Sequence, residues 1–192
     1  MVKEARLEPV DSGLAPRSEG WFVVNARDAA WLTSDAFGAR CVFEANRVVL
    51  RRRPDLDLQM FPEVGVTLGV IWPGRPSSLY HAETNQEDFL VLRGGCLLLI
   101  EGEERRLRAW DFVHCPPGTA HGFVGAGDGP CVMLMTGRRS SDRGIVYPRS
   151  DVALRHAAGV EAETTSPADA YAPFGHWQPG RPQPEDELPW AT

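Results

Sequence analysis

A chain of 192 residues, 43% hydrophobic and 24% charged, has the size and composition of one folded domain with its own core, with or without appendages. Its formal net charge of −6 argues against a broad phosphate-neutralising face, so no nucleic-acid partner is expected. No window approaches about 18 consecutive apolar residues, which argues against a membrane-spanning helix and a membrane partner.

Met1 to Val10 carries four charges and no apolar stretch, so no secretory signal is expected. The first predicted element is a helix over Ala26 to Phe37, with Ala29, Ala30, Leu32 and Phe37 as its buried positions and Gly38 as its stop. The basic run Arg51-Arg52-Arg53 meets Pro54-Asp55-Leu56-Asp57 at once and reads as a solvated loop. Val64 to Trp72 is rich in β-branched residues and ends at Pro73-Gly74, so it reads as a strand. Short strands follow at Leu79 to His81, Phe89 to Leu92 and Cys96 to Ile100, then at Arg105 to Trp110 and Asp111 to His114. Gly122 to Val124 and Val132 to Thr136 complete the set. Turn signals recur about every eight to twelve residues, the pattern of a sandwich or barrel. Cys96 to Ile100 is apolar on both faces, as in a strand packed between two layers, and its outer face would suit a homodimer contact.

Pro148 to His156 predicts a short helix capped by Ser150, with Gly159 beyond its end. From Asp151 onward seven acids face two bases, and five of the last twenty residues are proline. Such a tail has no regular structure of its own. Yet Tyr171, Phe174, Trp177 and Trp190 predict an extended strap lying on the barrel or on a partner subunit. The domain boundaries expected are an N-terminal extension over 1–60, a barrel over 61–140 and a short helix with acidic tail over 141–192. Cys41, Cys96, Cys115 and Cys131 fall singly without CxxC spacing, which suits free thiols in a reducing cytoplasm. Cys96 and Cys131 sit in apolar runs as core residues, and Cys115 is kept as a neighbour of the site described next.

The chemistry concentrates in two segments. His81, Glu83 and Glu87 form one, and His121 lies thirty-four residues after Glu87. Two imidazoles and two carboxylates brought together on a rigid sheet hold a divalent transition metal. Residues 81 and 83 share a strand face because side chains alternate, and a tight turn returns Glu87 to the same side with Phe89 inward beside it. Pro116 and Gly118 shape the turn that delivers His121 to an adjacent strand. The plain alternatives are a hydrogen-bonded core histidine and, for a buried acid, a salt partner in place of a metal. His114, His156 and His176 lack such spacing and read as surface or structural residues. Gln86 and Asp88 flank a ligand and face away. Trp72, Tyr80, Phe89, Trp110, Met133 and Met135 are candidates for an apolar pocket wall, overlapping with ordinary core, and Ser77-Ser78 for hydroxyls at its mouth.

The spacing Gly74-x6-His81-x-Glu83-x3-Glu87-x6-Gly94 resembles the first motif of the cupin superfamily, and Asp111-x4-Pro116-x-Gly118-x2-His121 resembles the second. The family's second motif-one histidine is Glu83 here, its closing asparagine is Gly125, and Asp111 stands in place of an opening glycine. The resemblance covers roughly residues 64–137. It implies an all-β double-stranded β-helix (jelly-roll) barrel with short helical or extended appendages. It further implies a metal held by His81, Glu87 and His121, a 2-His-1-carboxylate set suited to Fe2+, with Mn2+, Ni2+, Co2+ or Zn2+ also accommodated. Glu83 occupies a ligand's place and is expected to be a fourth ligand or a catalytic base. Two functions follow: a small-molecule metalloenzyme, dioxygenase- or isomerase-like, or a non-catalytic module that binds or senses a small organic ligand.

Overall fold

The computed structural model describes residues 1–44, 61–140, 144–184 and 187–190, so the Arg51–Arg53 run lies outside the described residues. The chain opens with a hairpin, β1 (Leu7–Val10) and β2 (Gly13–Pro16), followed by β3 (Trp31–Ser34) and β4 (Gly38–Val42). The central strands are β5 (Val64–Ile71), β6 (Ala82–Glu83), β7 (Glu87–Arg93) and β8 (Gly95–Ile100). They continue as β9 (Glu103–Arg108), β10 (Phe112–Cys115), β11 (His121–Gly125) and β12 (Cys131–Arg138). The C-terminal part holds β13 (Ile145–Val146), the short helices α1 (Asp151–Arg155) and α2 (Pro167–Ala170), and β14 (Gln178–Pro179).

Seven strands form one antiparallel sheet in the order β10-β7-β12-β5-β4-β3-β14, and a second sheet runs β11-β8-β9. The two face each other across a core built from alternate residues. Ile71 of β5, Phe89 and Val91 of β7, Leu98 of β8, Phe123 of β11 and Met133 of β12 all point inward. Their sequence neighbours Val70 and Val132, paired in register, point outward into a second cluster with Trp31 and Cys41. This alternation is the pleat expressed twice, and it leaves both faces of β5 and β12 apolar, which is why those strands read as continuous hydrophobic runs. The architecture is mostly β and consistent with the expected jelly-roll barrel. No helix among the described residues is long and apolar enough to cross a membrane.

Three expectations change. Residues 26–37 form no helix. Asn25 O closes one turn by accepting from Asp28 N and Ala29 N, and the chain then extends into β3. Gly38, at φ +85°, completes the turn into β4. The four positions expected to be buried, Ala29, Ala30, Leu32 and Phe37, are all buried. Sheet pairing overrides helical spacing here because β4 pairs with β5 and carries β3 on its far side. Leu79 to His81 is no strand either: His81 makes a single bridge to His121, exchanging both backbone hydrogen bonds at 3.0 and 2.8 Å. The turn after β8 is only Glu101-Gly102, so β9 starts at Glu103.

The outward face of β8 is covered within the chain. Leu99 packs with Tyr80, Val124, Ala153 and Ala158, so α1 and its exit fill the face expected to meet a second copy. Helix α1 has the expected cap, Ser150 Oγ accepting from Ala153 N. The strap is also in place. Phe37 is met by Tyr171, Phe174 and Trp177, and β14 adds to the sheet edge at β3.

Candidate metal centre

His81 and His121 sit on neighbouring backbone segments joined by their own bridge, which sets the imidazole centroids 5.1 Å apart. Glu87 enters from the first residue of β7, in register with Cys115 on one side and Gly137 on the other. Potential donor atoms of His81, Glu87 and His121 all lie within 4.8 Å of one another. Glu87 Oε2 is 3.4 Å from His121 Nε2 and 3.8 Å from His81 Nε2. Glu83 adjoins this set, with Oε1 3.9 Å from His81 Nε2, and its side chain is buried.

Backbone contacts fix the histidine tautomers. His81 Nδ1 lies 2.7 Å from Leu79 O, and His121 Nδ1 lies 3.0 Å from Thr119 O. A carbonyl oxygen only accepts, so each Nδ1 carries the hydrogen and each neutral ring presents the lone pair of Nε2 to the carboxylates. Burial is the main influence on His121 and holds its pKa below the usual histidine value, which favours the neutral ring. The donors fit a divalent transition metal: two Nε2 lone pairs and a carboxylate, each imidazole oriented by a carbonyl as metal-bound histidines commonly are.

Phe89 and Phe123 form the apolar floor, with Phe89 5.1 Å from His121 and 4.6 Å from Phe123 between ring centroids. Above the donors opens a cavity of about 410 Å³, lined among others by Arg40, Thr67, Ser77, Ser78, Met135 and Tyr147. Ser77-Ser78 therefore reach the cavity as expected, as do Phe89 and Met135. The other suggested wall residues do not. Trp72 and Met133 pack in the cores, Tyr80 lies under α1, and Trp110 is 75% exposed. Gln86 and Asp88 turn away, Asp88 bonding His114 and Gln86 on the surface.

Cys115 is a core residue beneath the site, and burial first, then the Glu87 charge, pushes its thiol up to about 12. Arg40, Tyr147 and Tyr171 line the cavity from outside the two motifs, and sequence reading missed them. Arg40 left a signal as a charge between the apolar Ala39 and Cys41, and Tyr171 was read as part of the strap without a place at the site.

Residues 67–137 match the family model described as the cupin domain. This segment is a cupin domain. No curated protein sequence matches the chain. Among solved structures, the chain is similar to a sugar phosphate isomerase of the cupin superfamily from Silicibacter pomeroyi. Identity is 24% over 78% of this chain and 83% of that one, with a TM-score of 0.46. It is also similar to the polyketide cyclase RemF from Streptomyces resistomycificus, with 17% identity over 62% and 79% of the two chains and a TM-score of 0.48. A third structure, from Acidithiobacillus ferrooxidans, is 26% identical over 56% of this chain, with a TM-score of 0.45; the match spans 66% of that chain, just under two thirds. The activities named belong to those proteins.

Proposed function

We propose that this chain is a metal-dependent enzyme acting on a small organic molecule, with His81, Glu87 and His121 as the metal ligands. The observation that carries the reading is the convergence of two backbone-locked Nε2 atoms and one carboxylate at the base of a cavity. Fe2+ is the proposed ion; the same donors accept Mn2+, Ni2+, Co2+ or Zn2+. When bound, such an ion supplies a Lewis acid or an oxygen-binding centre.

The chain's own residues do the rest. Leu79 O and Thr119 O hold the two rings in one tautomer. Phe89 and Phe123 keep water from the underside. Glu83 is buried beside the donor set and lines the cavity, where its carboxylate accepts a proton from bound substrate as general base. That arrangement favours isomerase-like proton transfer. A dioxygenase-like reaction is the second reading, favoured by the 2-His-1-carboxylate set itself.

Metal content of protein purified without added metal tests the site. Near one ion per chain in the parent, lost in both His81→Ala and His121→Ala, supports it; substoichiometric metal unchanged by either variant sinks it. Sugars, phenols and thiols are then offered in D2O and in an oxygen cell. Solvent deuterium entering substrate, abolished by Glu83→Gln, supports the isomerase-like reading. Oxygen uptake tied to substrate loss supports the dioxygenase-like one. Metal binding with neither leaves the non-catalytic binding module.

A further inference from the structure

Arg40 lies in the middle of β4, where Ala39 and Cys41 turn into the outer core. The pleat therefore points Arg40 the other way, to the inner face, where it lines the cavity above the metal ligands. A guanidinium carries five N–H donors in a fixed fork. Among the described residues one is used: Nη2 donates to Ser77 O at 2.7 Å. The ring of Trp177 covers its face, with the Arg40 Cζ 4.7 Å from the ring centroid. Such stacking holds the plane and leaves the edges of the fork open.

Among the described residues Arg40 forms no ion pair, in contrast to Arg139, whose charge is taken by Glu44. A partly buried cation without a carboxylate partner is costly to keep unless something else completes it. Burial lowers the Arg40 pKa and the Glu87 carboxylate opposes that shift, so Arg40 and Glu87 act on each other within one cavity.

We propose that Arg40 anchors the carboxylate of a small monoanionic substrate, held by the free edge of its guanidinium while another part of the molecule reaches the metal. This rests on the metalloenzyme reading above. The formal charges favour a monoanion. A divalent ion, Glu83, Glu87 and Arg40 sum to +1 with both histidines neutral; of the other lining cations, Arg139 is neutralised by Glu44 and Arg138 stands exposed at the rim. One carboxylate, held bidentately by the fork, balances that charge, whereas a phosphate dianion overshoots it. Ser77 and Ser78, lining the same cavity, add hydroxyls for the rest of a hydroxylated substrate.

The test uses the full chain as purified, with metal quantified in every sample. Lactate, 3-hydroxybutanoate and mandelate are titrated by calorimetry beside their neutral amides and inorganic phosphate. The expected result is binding of at least one carboxylate in preference to its amide. Arg40→Gln should weaken it by about ten- to a hundred-fold with metal content unchanged, and Arg40→Lys should retain part of the affinity. Should Arg40→Gln fail to fold, the parent still decides. In protein labelled with 15N-arginine, the guanidinium signal missing from Arg40→Lys must shift on titration with the carboxylate. No carboxylate binding, equal binding to the amide, preference for phosphate, or a bound carboxylate that leaves the Arg40 signal in place overturns the proposal. Loss of metal from His81→Ala and His121→Ala is a separate reading, so the anchor and the metal site fail independently.

Discussion

Phe37→Ala measures how firmly the C-terminal strap is tied to the barrel. Phe37 is 2% exposed and is met by three rings of the strap: Tyr171, Phe174 and Trp177, at centroid distances of 5.4, 4.9 and 6.3 Å. Truncating a buried phenylalanine costs about 3–5 kcal/mol, because transfer free energy and cavity formation add. Each aromatic pair is worth about 0.5–1.5 kcal/mol beyond area burial, so the upper half of that range is expected. At a urea slope near 2 kcal/mol/M the midpoint falls by about 2 M. Tyr171 also lines the cavity and accepts from Leu79 N at 3.2 Å, so loosening the strap opens one cavity wall as well. Urea unfolding followed by tryptophan fluorescence gives the stability, and limited proteolysis locates the loss. A midpoint shift below about 0.5 M, with the strap still protected, would refute the idea that Phe37 is its main attachment.

Gly125 stands where the family closes its second motif with asparagine, and a Cβ there would lie 2.1 Å from Trp72 O. Because the obstacle is backbone, Gly125→Ala is expected to cost about 1–3 kcal/mol or more, read as a lower thermal midpoint; an unchanged midpoint counts against the close contact. All four cysteines are buried, and burial pushes Cys41 and Cys115 up to about 12. Ellman's reagent at pH 8 should therefore find almost no thiol in native protein and four after denaturation. Burial also raises the pKa of Tyr80 and Tyr171. The folded state then holds those protons longer than the unfolded chain, so their contribution to stability is complete below the unfolded value of about 10 and is lost as pH rises from there through the raised folded value. Absorbance at 295 nm should find Tyr80 and Tyr171 ionising above the usual tyrosine range; a single common step of all tyrosines near pH 10 would refute this. The homodimer expected from the sequence has lost the outer face of β8 to α1, so light scattering decides it: a mass about twice the 21.2 kDa chain requires another face, and a monomer mass removes the dimer.

Much of the centre was legible in the chain because its ligands sit on short-range geometry. His81, Glu87 and His121 are placed by turns whose glycines and prolines can be read directly. Most central strands were also legible, since Val64 to Ile71 and Cys131 to Arg138 carry apolar residues on both faces. The N-terminal strands were not. Ala29, Ala30, Leu32 and Phe37 were read as buried, but their spacing fits a helix as well as a strand, and only hydrogen bonding to β5 through β4 decides between them.

Sequence alone thus determined which residues are apolar, where turns must fall and which donors share a local segment, because these depend on neighbours within a few residues. Tertiary structure decided what surrounds the donors. Arg40 comes from a strand forty-one residues before His81, and Tyr171 from a strap fifty residues after His121. The cover on β8 comes from α1. Each contact closes a long loop, and no local pattern encodes which surfaces will meet when that loop closes.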